Sequence, residues 1–353
     1  MMPSNSKRSL RIASAAALVA LFACVPFATA QTVEQFYAGR SITLIVPFSP
    51  GGYYDVGGRI IGRHLGKHIP GKPGVVVQNQ PSAGGIGLAN RFAHSPDGRD
   101  GTLIGTLQRA IPQVALMGDP AVKYDPLKLT WFGSLSGYAT DSYLMFVNSS
   151  HKVQKAAELR AGGLKAIMGA NRSGSTNLML ALVARDVLKL NIDIVRGFPG
   201  ANDITLAQQR GEVDGQLADL SVLKAGMGDM WTTGKVRPLV QFARTTRLPE
   251  LPDVPTAREL AGSDADRAVL SFAEMPFFMA LPIAGPAEMA PDRAKAIASA
   301  FMAMGSDPEF VAEAKKIGYP GDLVDGARVV ALIAEAAKTP PDVIARYKSI
   351  VSQ

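Results

Sequence analysis

The sequence has 353 residues, a formal net charge of +7, 47% hydrophobic residues and a single cysteine, Cys24. This length suffices for two lobes, each with its own core. One cysteine excludes a disulfide framework and a cysteine-ligated metal site, and no basic cluster interleaved with aromatic residues indicates a nucleic-acid partner.

The first thirty residues predict a secretory signal peptide. Three basic residues precede the apolar stretch 12–27, and an A-x-A cleavage site ends at Ala30. We therefore expect export and cleavage after Ala30. A minor alternative is lipoprotein processing, in which Cys24 becomes a lipidated N-terminus. No later apolar run reaches the ~18 residues that a membrane span needs.

The first structural unit is the segment IVPFSPGGYYDVGGRIIGRHL, residues 45–65. An apolar run rich in β-branched residues breaks at Pro50-Gly51-Gly52. Apolar residues then recur with helical spacing from Val56 to Leu65. This order predicts a strand, a tight glycine turn and a helix.

The same alternation continues along the chain. Strand candidates are GVVVQ (74–78), DGTLIGTLQ (100–108), SYLMFVN (142–148), KAIMGA (165–170), DIVRGF (193–198) and KVRPLVQFA (235–243). The segment FAEMPFFMALPIAG (272–285) is predicted to be extended, and the chain from Ala287 onward to be helical. Strands that alternate with helices predict mostly parallel sheets with helices on both faces.

The pattern restarts in the second half, which predicts two α/β lobes joined by crossings near 142–148 and 272–281. We assign residues 31–142 plus 277–353 to the first lobe, which is therefore discontinuous, and residues 143–276 to the second.

Glycine-rich turns after strands are the main candidate functional features. Backbone N–H groups can approach a ligand closely where no Cβ intervenes, and the following helix N-terminus favours an anion. Three such turns are Ser49-Pro50-Gly51-Gly52, Ala83-Gly84-Gly85 and Ser173-Gly174-Ser175-Thr176, and a fourth, Phe198 to Asp203, adds an aromatic ring and an acid. The alternative is that these turns only allow close packing between strand and helix.

Three charged residues near these turns have two interpretations each. Asp55 lies in the first turn of its helix, where it can complement the helix dipole or contact ligand. Arg109 and Arg172 follow strand ends and can clamp a carboxylate with two hydrogen bonds, or they can lie solvated at the surface.

Enzyme motifs are missing from the sequence. There is no G-x-S-x-G elbow, no phosphate-binding P-loop and no G-x-G-x-x-G dinucleotide turn. His64 and His68 have the i, i+4 spacing of metal ligands, but their basic surroundings favour a solvated helix face. We therefore predict a protein that is not an enzyme and holds neither a metal nor a cofactor.

Several segments together resemble the extracytoplasmic solute receptors of tripartite tricarboxylate transporters, the Bug-type binding proteins. They are IVPFSPGGYYDVGGRIIGRHLGKHIPGKPGVVVQNQPSAGGIGLANRFA, PDGRDGTLIGT, GDPAVKYDPLKLTWFGS, GFPGANDITLAQQRGEVDGQ and LPDVPTARELA. The resemblance implies a type II-like periplasmic-binding-protein fold whose two lobes close on a ligand. It also implies a small carboxylate, delivered to a permease of one large and one small integral membrane subunit.

The resemblance also implies a set of ligand contacts. By position they fall on Phe48, Ser49, Gly51, Gly52, Tyr53, Asp55, Ala83, Gly84 and Gly85 in the first lobe, and on Ser173, Ser175, Thr176, Gly200, Asp203 and Asp219 in the second. Bulky Tyr53 and Tyr54 and the cation Arg172 depart from the family pattern, which leaves open a larger, aromatic or dianionic ligand. Presentation of a bound acid to a sensor kinase, and a periplasmic enzyme acting on a small acid, are the alternatives.

Overall fold

The computed structural model describes residues 31–51, 53–82, 85–160, 163–171, 175–226, 228–319 and 321–353. The predicted signal peptide and Cys24 therefore lie outside the described residues. The described strands are β1 (Ser41–Val46), β2 (Gly74–Asn79), β3 (Leu103–Thr106), β4 (Thr130–Ser134), β5 (Tyr143–Asn148), β6 (Ala166–Asn171), β7 (Ile192–Phe198), β8 (Gly215–Asp219), β9 (Val236–Phe242), β10 (Pro282–Gly285) and β11 (Val324–Asp325).

Helices connect these strands and cover the two sheets that they form. They are α1 (Val33–Tyr37), α2 (Tyr53–His64), α3 (Ile86–His94), α4 (Ile111–Leu116), α5 (Ala156–Arg160), α6 (Thr176–Asp186), α7 (Ala201–Gln209), α8 (Leu220–Gly226), α9 (Gly228–Thr232), α10 (Ala257–Leu260), α11 (Asp264–Glu274), α12 (Pro291–Met304), α13 (Pro308–Lys316), α14 (Gly326–Ala336) and α15 (Pro341–Val351). Within the described ranges no helix is long and apolar enough to cross a membrane.

The two sheets confirm the predicted α/β fold class with two lobes. The first sheet has the strand order β11-β4-β10-β3-β1-β2, and the second has the order β7-β6-β8-β5-β9. Strand β1 is parallel to β2 and β3, and β6 is parallel to β7 and β8, as the βα alternation predicts.

The sheets are mixed rather than mostly parallel, which differs from the prediction. In the first sheet β10 runs antiparallel to both of its neighbours, and in the second sheet β5 does the same. Each of these strands directly follows a crossing from the other sheet. A strand that enters in this way is not part of a right-handed βαβ unit, so nothing holds it parallel.

The central strands of each sheet are buried on both faces, so neighbouring residues of one strand belong to different cores. In β1, Leu44 and Val46 belong to one apolar cluster, whereas Ile45 belongs to another. In β5, Met145 and Phe146 divide in the same way. This two-sided burial explains why the strands read as continuous apolar runs.

The C-terminal helix packs with the second lobe. Val343, Tyr347 and Ile350 of α15 join the cluster that covers the second sheet, and the Tyr347 ring meets Phe272 of α11 edge to face at 5.3 Å. Assigning residues 277–353 wholly to the first lobe does not describe this packing. The lobe boundaries otherwise stay a prediction.

Two local predictions were wrong. Residues 272–285 are not one extended segment, because α11 continues to Glu274 and a 3-10 helix spans Met275–Met279 before β10 begins. His64 is buried, not solvated. Its Nε2 lies 2.7 Å from a Glu313 carboxylate oxygen. His68 likewise pairs with Asp307, at 3.0 Å.

Candidate ligand-binding site

The turn between β1 and α2 is held by a buried carboxylate. Gly51 has φ +89°, a left-handed conformation that favours glycine, and its N–H donates to Asp55 Oδ2 at 2.8 Å. Arg59 Nε donates to the same oxygen at 3.0 Å, and Asn79 Nδ2 donates to Oδ1 at 2.8 Å. Both oxygens of Asp55 are therefore engaged within the protein.

These contacts give Asp55 a structural role in the turn. Burial opposes its charge, but the hydrogen bonds from Arg59, Gly51 and Asn79 outweigh burial and lower its pKa. The Asn79 amide also donates to the Phe48 carbonyl at 3.0 Å, so it joins the turn to the end of β2. Asp55 thus orients the loop, whereas its contact with ligand stays a prediction.

Aromatic rings fix the same turn from two sides. Phe48 stacks on Tyr54 with ring centroids 4.6 Å apart, and Tyr53 stacks on Tyr319 at 5.0 Å. The Tyr319 hydroxyl donates to the Tyr53 carbonyl at 2.9 Å, while the Tyr54 hydroxyl accepts from the backbone N–H of Arg109 at 3.0 Å. The bulky tyrosine pair therefore ties the first turn to the segment after β3.

Arg109 lies at the centre of the candidate site. The residue is only 8% exposed, and its guanidinium carbon lies 4.7 Å from the Phe277 ring centroid, 5.6 Å from that of Tyr53 and 5.9 Å from that of Tyr138. Its Nη1 lies 3.9 Å from Asp219 Oδ1, which is too far for a hydrogen bond. Among the described residues this buried Nη1 has no hydrogen-bond partner.

The charges of Arg109 and Asp219 are set by burial and by each other. Burial raises the pKa of Asp219, and the nearby guanidinium of Arg109 opposes this rise. Burial works against the Arg109 charge, yet the oxygens of Tyr54 and Asp219 outweigh it and raise the pKa of Arg109. A buried cation that lacks a full set of acceptors is costly, so the site favours an added anion.

A cavity of about 10 Å³ adjoins the Arg109 side chain. Both lobes line it, with Arg109, Ala110 and Gln113 on one side and Thr176, Met179, Leu180, Ala273, Pro276, Phe277 and Tyr347 on the other. A space of this size holds no more than about one water molecule. In this structure the space beside Arg109 is therefore too small for an organic acid.

In the second lobe, β6 is parallel to β7 and β8, so the described residues that flank the predicted turns lie at one edge of the sheet. Ser175 precedes α6, and its Oγ donates to Asn177 Oδ1 at 2.8 Å. Asn177 Nδ2 donates to Asn171 Oδ1 at 2.6 Å, and Asn171 Nδ2 donates to the Phe198 carbonyl at 3.1 Å. Gly200 and Asp219 follow at the ends of β7 and β8 on the same edge.

The structure brings together only part of the predicted set. Tyr53, Arg109, Asp219 and Thr176 meet through the contacts and the cavity described above. Gly85 lies beside this group, since a Cβ built on it would be 3.5 Å from the backbone nitrogen of Gln108. Phe48, Gly51 and Asp55 support the first turn.

No contact among the described residues joins the remaining predicted residues to Arg109, and ligand contact by any of the set stays a prediction. These remaining residues are Ser49, Ser175, Gly200 and Asp203. Gly52, Ala83, Gly84, Arg172 and Ser173 lie outside the described residues.

Sequence reasoning missed three aromatic residues near Arg109 and the first turn, namely Tyr138, Phe277 and Tyr319. Tyr138 follows β4 with φ +61°, which is uncommon for a residue with a side chain, but nothing in its local sequence announces this. Phe277 lies in the segment that was predicted as extended. Tyr319 lies far along the chain, and its one signal is an aromatic residue between a glycine and a proline in the sequence.

A larger cavity of about 750 Å³ lies between α13 and the start of α8. It contains none of the predicted site residues, and Lys224 on its rim already pairs with Glu250 at 2.6 Å. We place the candidate site at Arg109 instead, because that location has a buried cation with an unfilled donor.

Two curated proteins are similar in sequence to parts of this chain. No protein-family model matches the chain. The BugT protein of Bordetella pertussis is 35% identical over 113 residues, which are 32% of this chain and 33% of BugT. A UPF0065 protein from the tcbD-tcbE intergenic region of a Pseudomonas species is 28% identical over 240 residues, 66% of each chain. The matches thus span a third of the first curated relative and slightly less than two thirds of the second.

Solved structures match over nearly the whole chain. A TctC solute-binding protein from Polaromonas has a TM-score of 0.66 at 20% identity, covering 90% of this chain and 99% of that one. MatC from Rhodopseudomonas palustris with bound malate has a TM-score of 0.57 at 22% identity, covering 88% and 99%. An R. palustris protein solved with adipate has a TM-score of 0.60 at 20% identity, covering 89% and 96%.

The chain therefore has the two-lobed fold of the periplasmic solute-binding proteins. Its resemblance to the Bug and TctC solute receptors of tripartite tricarboxylate transporters is confirmed by both kinds of match.

Proposed function

We propose that this protein is a periplasmic receptor that captures a small organic acid between its lobes. It then delivers the acid to a tripartite tricarboxylate-type transporter with one large and one small membrane subunit. The observation that carries the proposal is the buried Arg109, whose Nη1 has no hydrogen-bond partner among the described residues. Malate and adipate in two structurally similar proteins support an organic acid as ligand.

Capture works by closure of the lobes. Arg109 and Tyr53 belong to the first lobe, and Asp219 and Thr176 belong to the second, so a solute held between them contacts both. Such a solute binds the closed state better than the open state and shifts the population toward closure. The first turn meets the solute with its geometry already fixed by Asp55, which lowers the cost of ordering on binding.

In this role the protein releases its ligand chemically unchanged.

The mature chain is expected to start at Gln31 in the periplasm. Mass spectrometry of protein recovered from a periplasmic extract tests the processing site. A mature N-terminus at Gln31 is expected, whereas a lipid-modified Cys24 would contradict it. Copurification with the two membrane subunits tests the delivery step.

The capture function is tested by thermal unfolding of the mature protein with mono-, di- and tricarboxylates. The control for each acid is its neutral amide, which has nearly the same shape but no negative charge. An acid at ~100 times its Kd adds ~2.7 kcal/mol to the free energy of unfolding. A rise in Tm with acids and not with amides is expected, and no rise with any acid would contradict the proposal.

A further inference from the structure

Building on the proposed function, we infer that the ligand has one carboxylate on an apolar body. Arg109 binds that carboxylate, and Asp219 disfavours acids that carry a second one. The inference rests on three features of the Arg109 surroundings: an unfilled donor, the balance of charge, and the apolar walls of the adjoining cavity.

The first feature is the geometry of the cation. A guanidinium presents its donors in a planar fork that matches the two oxygens of one carboxylate. The Nη1 of Arg109 is buried without a partner among the described residues, and Asp219 stays 3.9 Å away. Asp219 therefore balances the charge of Arg109 without a hydrogen bond to Nη1, so this donor is available to a carboxylate that enters when the lobes separate.

The second feature is the number of positive and negative charges around Arg109 and Asp219. Arg109 and Tyr53 interact electrostatically with Asp219, and Tyr143 is the residue paired with Asp219 across β5 and β8. Burial raises the pKa of Tyr143 to about 12, so this phenol is neutral. One cation thus faces one carboxylate before the ligand arrives. Once one ligand carboxylate is bound, two negative charges face the single positive charge of Arg109. A second ligand carboxylate would be repelled more strongly, because the buried site has a low dielectric constant.

The third feature is the surface that surrounds the body of the ligand. Beside Arg109 the cavity is lined by the apolar side chains of Met179, Leu180, Pro276 and Phe277, with Thr176, Gln113 and Tyr347 as the other polar residues. Four of these seven side chains offer only apolar contact. A hydrocarbon body gains from this surface, whereas a second carboxylate or several hydroxyl groups would lose hydration without matching partners.

The test is isothermal titration of the full mature protein with benzoate, succinate, malate and benzamide. Benzoate is expected to bind at least about 100-fold more tightly than succinate or malate, and benzamide to give no detectable heat. Arg109→Gln is expected to weaken benzoate binding about 100-fold, because the charge of the fork is lost. Arg267→Gln, on the exposed face of α11, is the matched control and is expected to bind as the wild type does.

Asp219→Asn tests the exclusion of a second carboxylate separately. It removes one negative charge at constant shape, so the ratio of succinate to benzoate affinity is expected to rise about 10-fold. Circular dichroism confirms that each variant is folded. If Arg109→Gln does not fold, Arg109→Lys keeps the charge but loses the fork, and a loss of about 10-fold is expected.

The outcomes separate this inference from the proposed function. Tighter binding of succinate or malate than of benzoate by the wild type would overturn the inference and leave the receptor function standing. Benzoate binding that survives Arg109→Gln unchanged, or an unchanged affinity ratio in Asp219→Asn, would also overturn it. Failure of every acid to bind would overturn the proposed function itself.

Discussion

Asp55 shows how one buried side chain can set the shape of a binding loop. Its carboxylate accepts hydrogen bonds from Gly51, Arg59 and Asn79. It therefore joins the loop after β1 to helix α2 and to the end of β2. Because the group is ionised and fully engaged, its removal leaves several donors without partners. Buried donors in that situation cost ~1–3 kcal/mol each.

Asp55→Ala is therefore expected to lower the free energy of unfolding by about 2 kcal/mol or more. It should also weaken acid binding, since the turn loses its preset geometry. Urea denaturation measures the loss of stability. Calorimetric titration with an acid that the wild type binds measures the loss of affinity. Asp264→Ala, which removes an exposed carboxylate from another helix, is the control. Normal binding by a folded Asp55→Ala protein would contradict the orienting role.

Glu274 is a buried carboxylate with a different consequence, because its burial is only partly compensated. It accepts from Ala243 N–H at 2.9 Å and from Arg258 Nε at 2.8 Å, yet burial raises its pKa to about 7. The folded protein therefore keeps this proton at a pH where the unfolded chain has released it.

The free energy of unfolding is expected to fall as the pH rises from about 4.5 toward about 7, by up to ~3 kcal/mol from this one group. Below that window both states hold the proton, and above it neither does, so the contribution is then constant. Glu274→Gln removes the titration and should flatten this part of the profile. Urea unfolding at several pH values measures the slope, and an identical slope in the variant would contradict the assignment.

At the scale of elements, the last helix completes the core of the second lobe. Tyr347 of α15 is 1% exposed and packs against Phe272 of α11. Tyr347→Ala is expected to cost ~3–5 kcal/mol, the range for truncation of a large buried aromatic side chain. Thermal unfolding measures the loss, and Ser349→Ala on the same helix is the control. A loss below about 1 kcal/mol would show that the helix is dispensable to this core.

The elements differ in how far the sequence predicts them. The turn after β1 was predictable because a β-branched run followed by Pro50-Gly51-Gly52 and helical spacing has one common solution. The 3-10 segment Met275–Met279 was not, since a short apolar run fits a strand or a buried helix equally well. The direction of β5 and β10 depends on which sheet the chain has just left, and local sequence does not carry that information.

The candidate site was predictable only where it depends on strand ends. Tyr53 and Arg109 follow β1 and β3, which are parallel neighbours in the first sheet, so both residues lie at one edge of it. Asp219 ends β8 in the second sheet and meets Arg109 only because the two lobes face each other. The aromatic rings of Tyr138 and Phe277 come from the two segments that cross between the lobes. Their position depends on how the lobes pack, so no local pattern marks them.

At the scale of the whole molecule, the two lobes are joined by a buried hydrogen bond beside the candidate site. Gln113 Nε2 of α4 donates to the Phe272 carbonyl of α11 at 2.7 Å. Gln113→Ala removes this link, so the balance is expected to shift toward the open state by about 1 kcal/mol, or roughly 5-fold.

Small-angle X-ray scattering measures that shift. A larger radius of gyration is expected for the ligand-free Gln113→Ala variant than for the wild type, and saturating acid should bring the two values together. The surface variant Gln154→Ala is the control. Identical scattering by the two ligand-free proteins would show that this hydrogen bond does not hold the lobes closed.

The position of α15 also has a consequence for the order in which the protein can be made. The strands of the second sheet end with Phe242, yet the apolar cluster over that sheet includes residues up to Ile350. A second lobe without α15 would therefore expose an apolar face. After export, the core of this lobe can close only when the segment that ends with Ile350 has also crossed the membrane.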